Sequence, residues 1–173
     1  MDNNNEIYNY IATINFKVKE LSGFIKGKPE LLRSFVMYIS SNTKEAWRAS
    51  WVLAYYSSKY HEDLNPYADE IIRALKKINI DGHIRETLKI LQNLDLSEEQ
   101  TSEVFDICYD LLLDNHRKPS VRSIAFQFLL KVSKEYPELK NEIIAIFENI
   151  KEYLPHGIKH SMQIRLNNNN LTK

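Results

Sequence analysis

An apolar residue followed directly by a cation recurs four times in this chain, as Trp47-Arg48, Ile84-Arg85, Val121-Arg122 and Ile158-Lys159, and successive cations are 37 residues apart each time. Three positions beyond each cation stand Trp51, Leu88, Ala125 and Met162, all apolar. Five positions beyond stand Leu53, Ile90, Gln127 and Ile164, of which only Gln127 is polar. A fixed period of this size marks a structural unit that cannot bury its apolar face alone and stacks on neighbouring copies. The chain must therefore fold so that these four segments take equivalent places.

Between the cation-bearing segments lies a second set: "KPELLRSFVMYI", "NPYADEIIRALKKI", "SEEQTSEVFDICYDLLL" and "PELKNEIIAIFENI". Each places apolar residues at i, i+3/i+4 and i+7, the spacing of one helix face; Tyr67, Ile71, Ile72, Leu75 and Ile78 form such a stripe. Pro29, Pro66 and Pro137 stand where first helical turns are expected, and Ser97 precedes Glu and Gln as a capping residue should. Asn79, Asp81-Gly82 and Asp114-Asn115 read as turns between paired helices. With only four glycines and five prolines in 173 residues, short turns between helices fit better than a β-sandwich. The spacing predicts a helical hairpin of roughly 35–40 residues, repeated about four times.

This unit resembles a HEAT repeat, whose second helix commonly opens D-x-x-V-R-x-x-A. "DGHIRETL" matches with Asp81 four residues before Arg85, "PSVRSIA" with Pro119, Val121 and Arg122, and "AWRAS" with Trp47 in place of the valine. The chain is similar also to small bacterial proteins made almost entirely of such repeats. The resemblance implies an all-α fold, an α-α superhelix in the form of a right-handed solenoid of about four hairpins. Residues 28–166 would form the array and residues 1–27 a tail and N-terminal helical cap, while the polar, low-complexity composition of residues 167–173 reads as a disordered Asn-rich tail. The resemblance further implies that the repeated arginine ties neighbouring repeats together through a turn acid. Asp81 stands at that place in the second repeat and Asn42 near it in the first, while the third and fourth repeats depart from the pattern.

A permanent charge near the start of an apolar helix has two readings. The aliphatic stem can lie in the groove between repeats while the guanidinium reaches turn carbonyls or carboxylates, since a buried charge needs partners. Alternatively Arg48, Arg85, Arg122 and Lys159 form a cationic row that meets an acidic ligand. Contacts between repeats must recur in every repeat and ligand contacts need not, so the periodicity favours the first. Ahead of the array, "EIYNYIATINFKVKEL" has helical spacing at Ile7, Tyr10, Ile11 and Ile14, with Ile11 in the place of the cation. It is a candidate cap, or else a segment that reaches another chain.

Trp47, Trp51 and Tyr55 are each four residues apart and share one helix face, with Tyr56 and Tyr60 on an adjacent one. Such a stripe serves either as bulky core or as a groove that anchors apolar or proline-rich side chains of a partner. In the HEAT family this helix commonly lines the concave side.

Other chemistries find little footing. Lys plus Arg equals Asp plus Glu at 23 each, whereas proteins that live on phosphate contacts usually carry a basic excess. The single cysteine, Cys108, lies in an apolar run with no neighbouring cation and reads as a reduced, buried thiol. His156 and His160 have ligand spacing but no acid or cysteine close in sequence, and read as a capping or surface pair; "YHED" at 60–63 reads as a solvated loop. No glycine cluster forms a phosphate loop. The expectation is no metal, no cofactor and no catalytic residue. The N-terminus has no signal-peptide pattern and no window is long and apolar enough to span a membrane, so the cytoplasm is the expected compartment. Two functional readings stand: a non-catalytic scaffold for a protein or peptide, using Trp47, Trp51, Tyr55, Arg48, Arg85, Arg122 and Lys159, or a DNA-binding module. The second follows from the resemblance, because some HEAT-like proteins are DNA alkylation-repair glycosylases that hold DNA with tryptophans, basic residues and an acid.

Overall fold

The computed structural model of the protein describes residues 7, 9–12, 17–41 and 43–168. The expected frayed ends fall on residues 1–6 and 169–173, which lie outside the described residues, as do Ile14 and Asn42. Residues 7 and 9–11 are helical. Then come α1 (Val18–Ile25), α2 (Pro29–Ile39), α3 (Ala46–Tyr60), α4 (Ala68–Leu75), α5 (Asp81–Asn93), α6 (Glu98–Leu113), α7 (Pro119–Glu135), α8 (Lys140–Ile150) and α9 (His156–Asn168), with no strand among the described residues. The fold is all-α, as the apolar spacing predicts. The four repeated cations fall in the opening turns of α3, α5, α7 and α9. Asn167 and Asn168, assigned to the tail by composition, instead end α9.

Local signals explain most of the boundaries. Pro29 opens α2 and Pro119 opens α7, where a missing N–H costs nothing. Pro66 and Pro137 sit instead in single 3₁₀ turns, Asn65–Tyr67 and Pro137–Leu139, that lead directly into α4 and α8. Ser97 and Gln100 make a reciprocal capping box: the Gln100 amide donates to Ser97 Oγ at 3.2 Å and the Ser97 amide to Gln100 Oε1 at 3.0 Å. Asp81-Gly82 is not a turn, as the sequence suggests, but the first turn of α5. The turn before α2 carries Gly27 at φ 73°, a conformation in which a Cβ would be strained.

The chain divides into two compact units, residues 1–100 and 101–173. In the first, α2 packs on α3 and α4 on α5, while α2 also meets α4 and α3 meets α5, so first helices and second helices form two layers. Phe35, Val36 and Ile39 of α2, Val52 and Leu53 of α3, Ile71, Ile72 and Leu75 of α4, and Ile84, Leu88 and Leu91 of α5 are buried between them. Small residues on α3 (Ala46, Ala49, Ser50) let α5 approach closely. The sequence period reappears here as polar contacts. Thr87 Oγ1 donates to the carbonyl of His83 and lies 3.3 Å from Ser50 Oγ, 37 residues earlier; Asn93 Nδ2 donates to Ser57 Oγ at 2.9 Å. In the second unit α7 packs on α8 and α9, with Phe126 of α7 against Phe147 of α8, ring centroids 5.4 Å apart. Met162 and Leu166 of α9 are buried.

Candidate functional site

Helix α3 is contacted by α1, α2 and α5, so most of its circumference is covered. At 100° per residue, Trp47, Trp51, Tyr55 and Lys59 fall on one remaining wedge, which also takes in Arg48. The two indoles stack, centroids 5.8 Å apart and planes 16° apart. Trp51 is 41% exposed, while Trp47 and Tyr55 are half-buried. The Arg48 guanidinium lies 5.7 Å from the Trp47 ring centre and Lys59 Nζ 4.9 Å from that of Tyr55. The wedge is therefore an aromatic shelf with a cation at each end. Tyr56, on the adjacent face, is buried and donates its hydroxyl to Asp63 at 2.6 Å; burial, then that carboxylate, push its pKa up. Asp63 and His61, which lies 3.5 Å from Asp95, place "YHED" in an engaged 3₁₀ turn rather than a purely solvated loop.

The position of Trp51 departs from its register. Leu88, Ala125 and Met162, at the matching places, are fully buried, whereas Trp51 keeps two-fifths of its surface. The matching places hold leucine, alanine and methionine, and the larger indole extends beyond what they bury and stacks on Trp47.

Each repeated cation has an oxygen partner. Arg48 donates through Nη1 to the carbonyl of Ile11 at 2.6 Å, the residue 37 positions earlier that occupies its own place in the register. Arg85 binds Glu86 through Nε and Nη2, both at 2.9 Å, and not Asp81. The adjacent acid is buried, where Lys89 also reaches it at 3.1 Å, and so it outcompetes a turn residue. Arg122, in the second unit, is buried and donates through Nε to the carbonyl of Leu112 at 2.8 Å. Lys159, in the same unit, binds Glu152 at 2.7 Å, which holds that carboxyl below its usual range. Because Arg85 is partly exposed and Lys89 still serves Glu86 without it, Arg85→Ala is expected to cost under about 1 kcal/mol in urea unfolding. A loss as large as that of a buried hydrogen-bonded charge would refute this assignment.

Burial pushes the Cys108 thiol pKa up, which opposes thiolate chemistry. His156 and His160 are exposed on α9 with nearly parallel rings 6.3 Å apart, and no group of three or more metal-ligating side chains occurs among the described residues. No described helix is long and apolar enough to cross a membrane. Sequence reasoning missed two features: the buried Glu86, and His83, which is 4% exposed. The alternation of charge in "IRETLK" was the available signal for the first; nothing local marks the second.

A family model described as a HEAT repeat domain matches residues 12–168. No curated protein and no solved structure matches the chain at a significant level.

Proposed function

The chain belongs to the HEAT repeat family, and from that premise we propose that it is a non-catalytic scaffold that binds a protein or peptide on the aromatic shelf of α3. The observation that carries this is the stacked Trp47–Trp51 pair, with Trp51 41% exposed on the wedge of α3 that α1, α2 and α5 leave open. Indole faces gather apolar or proline side chains with little loss of rotamer entropy, and such residues dominate binding energy where they occur. Arg48 and Lys59 at the two ends suit a partner segment with acidic residues flanking its apolar anchor. Arg85, Arg122 and Lys159 serve only contacts within the array, whereas Arg48 combines its bond to the Ile11 carbonyl with its place on the shelf. Residues 1–27 act as a cap in this reading, supported by the buried Ile7 and Ile11 and by the hydrogen bond from Arg48. A cytoplasmic setting, with Cys108 reduced, belongs to the same proposal.

Two measurements test it. In a Trp47→Phe variant, acrylamide should quench Trp51 readily; quenching as weak as that of a sealed indole ends the shelf reading. Partner capture by the full chain, with cross-linking to locate the contact, should fall at least about tenfold in Trp51→Ala, while the melting temperature shows less than the loss of a buried tryptophan. Unchanged capture by that variant rejects the site. Binding to duplex DNA that weakens steeply across a salt series would replace the scaffold by a phosphate-binding module.

A further inference from the structure

The turn leading into α3 and the turn leading into α5 lie side by side and enclose a pocket of about 310 Å3, away from the aromatic shelf. Ser40, Ser41, Thr43 and Lys44 line it from the first turn and Lys77 from the second. Its charged lining residues are both lysines, neither buried. Lys44 pairs with Glu45 at 3.7 Å, and Asp81 is the first residue of α5. Ser41 Oγ and Thr43 Oγ1 are 3.1 Å apart, and Thr43 donates on to the Tyr38 hydroxyl, so these hydroxyls are already ordered.

Two further features bear on the occupant. The pocket lies at the N-terminal ends of α3 and α5, helices of 15 and 13 residues whose N-cap residues, Glu45 and Ile80, make no side-chain capping bond among the described residues. The Ala46, His83 and Ile84 amides there already donate to the Thr43 and Ile80 carbonyls, so what these helix ends offer an anion is the positive ends of their dipoles. His83, in the first turn of α5, completes the lining; it is buried, and its Nε2 has no hydrogen-bond partner among the described residues. A polar atom sealed from water without a partner is costly, and its persistence points to a group that the pocket receives.

We propose that this pocket binds a small phosphate-bearing ligand. Lys44 and Lys77 supply the charge, Ser40, Ser41 and Thr43 the hydroxyl hydrogen bonds, and His83 Nε2 the buried donor that fixes the oxyanion. The volume exceeds what a bare oxyanion needs and leaves room for a small organic body. Such a ligand bridges two successive hairpins at their turns and stiffens the first unit. The site does not depend on the scaffold reading, since none of its residues lies on the shelf.

The test uses the full chain with isotope-labelled histidine. Sodium phosphate, glycerol phosphate and sodium chloride at matched ionic strength are titrated while the His83 ring signals are followed. Either phosphate should shift them saturably while His156 and His160 stay in place and chloride has no effect. The exposed double variant Lys44→Ala/Lys77→Ala, whose fold is checked by its melting temperature, should weaken binding about tenfold or more. Tighter binding of glycerol phosphate identifies a phosphate monoester as the ligand, and equal binding identifies the free ion. No saturable shift with either phosphate, an equal response to chloride, or undiminished binding by the double variant overturns the proposal.

Discussion

Acidifying the protein from pH 6.5 towards pH 4 is expected to remove up to about 3 kcal/mol of folding stability through His83 alone. Burial lowers the pKa of this imidazole from 6.5 to about 4, because the charged form would lose its hydration and find no compensating partner. The unfolded chain takes up the proton near 6.5, and the folded chain resists it until about 4. Unfolding therefore binds a proton throughout that window, so the contribution is intact above it and lost as pH falls through it. Urea titrations at a series of pH values, on the wild type and on His83→Leu, isolate the term from the general titration of carboxylates. The variant should show a shallower fall, and curves that run parallel would mean that His83 charges freely in the folded state.

The difference between what the residues announce and what packing adds is clearest along the repeated cation. Its period places Arg48, Arg85, Arg122 and Lys159 in the opening turns of four helices, because backbone register follows directly from spacing. The partners were harder to read. Ile11 and Leu112 accept through backbone carbonyls, which carry no side-chain signature, and Glu86 is adjacent to Arg85 where a turn acid was expected. Trp51 shows the limit of register itself, since an apolar place in four copies says that the Cα faces the array, not that every side chain fits there. His83 lay beyond sequence reasoning for a related reason. Its environment is made by two turns about 37 residues apart, and neither turn has a motif that marks a pocket.

Arg122→Ala is expected to lower stability by about 2–3 kcal/mol, the cost of leaving a buried acceptor unpaired together with lost stem packing. Leu112 stands at the end of α6, where the last carbonyls have no intrahelical donor, and the Arg122 Nε–H takes that role at 2.8 Å. Burial disfavours the guanidinium charge, and Asp114 in the same turn offsets part of that penalty. Asp114 is itself held, accepting the His116 amide at 2.9 Å in an Asx turn and meeting Arg117 at 3.3 Å. Removing the arginine thus loosens the joint between α6 and α7. For a chain of this length the melting temperature should fall by roughly 5–10 °C. Arg122→Met separates the two contributions, since it keeps most of the stem but not the donor. It should recover part of the loss, and Arg122→Lys should not restore it fully, because an ammonium cannot reproduce the directed Nε–H bond. Arg85→Ala is the control, with a partly exposed guanidinium and a second cation on its acid. Equal losses at positions 85 and 122 would mean that burial does not rank the repeated cations, and an unchanged midpoint for Arg122→Ala would move that side chain out of the joint altogether.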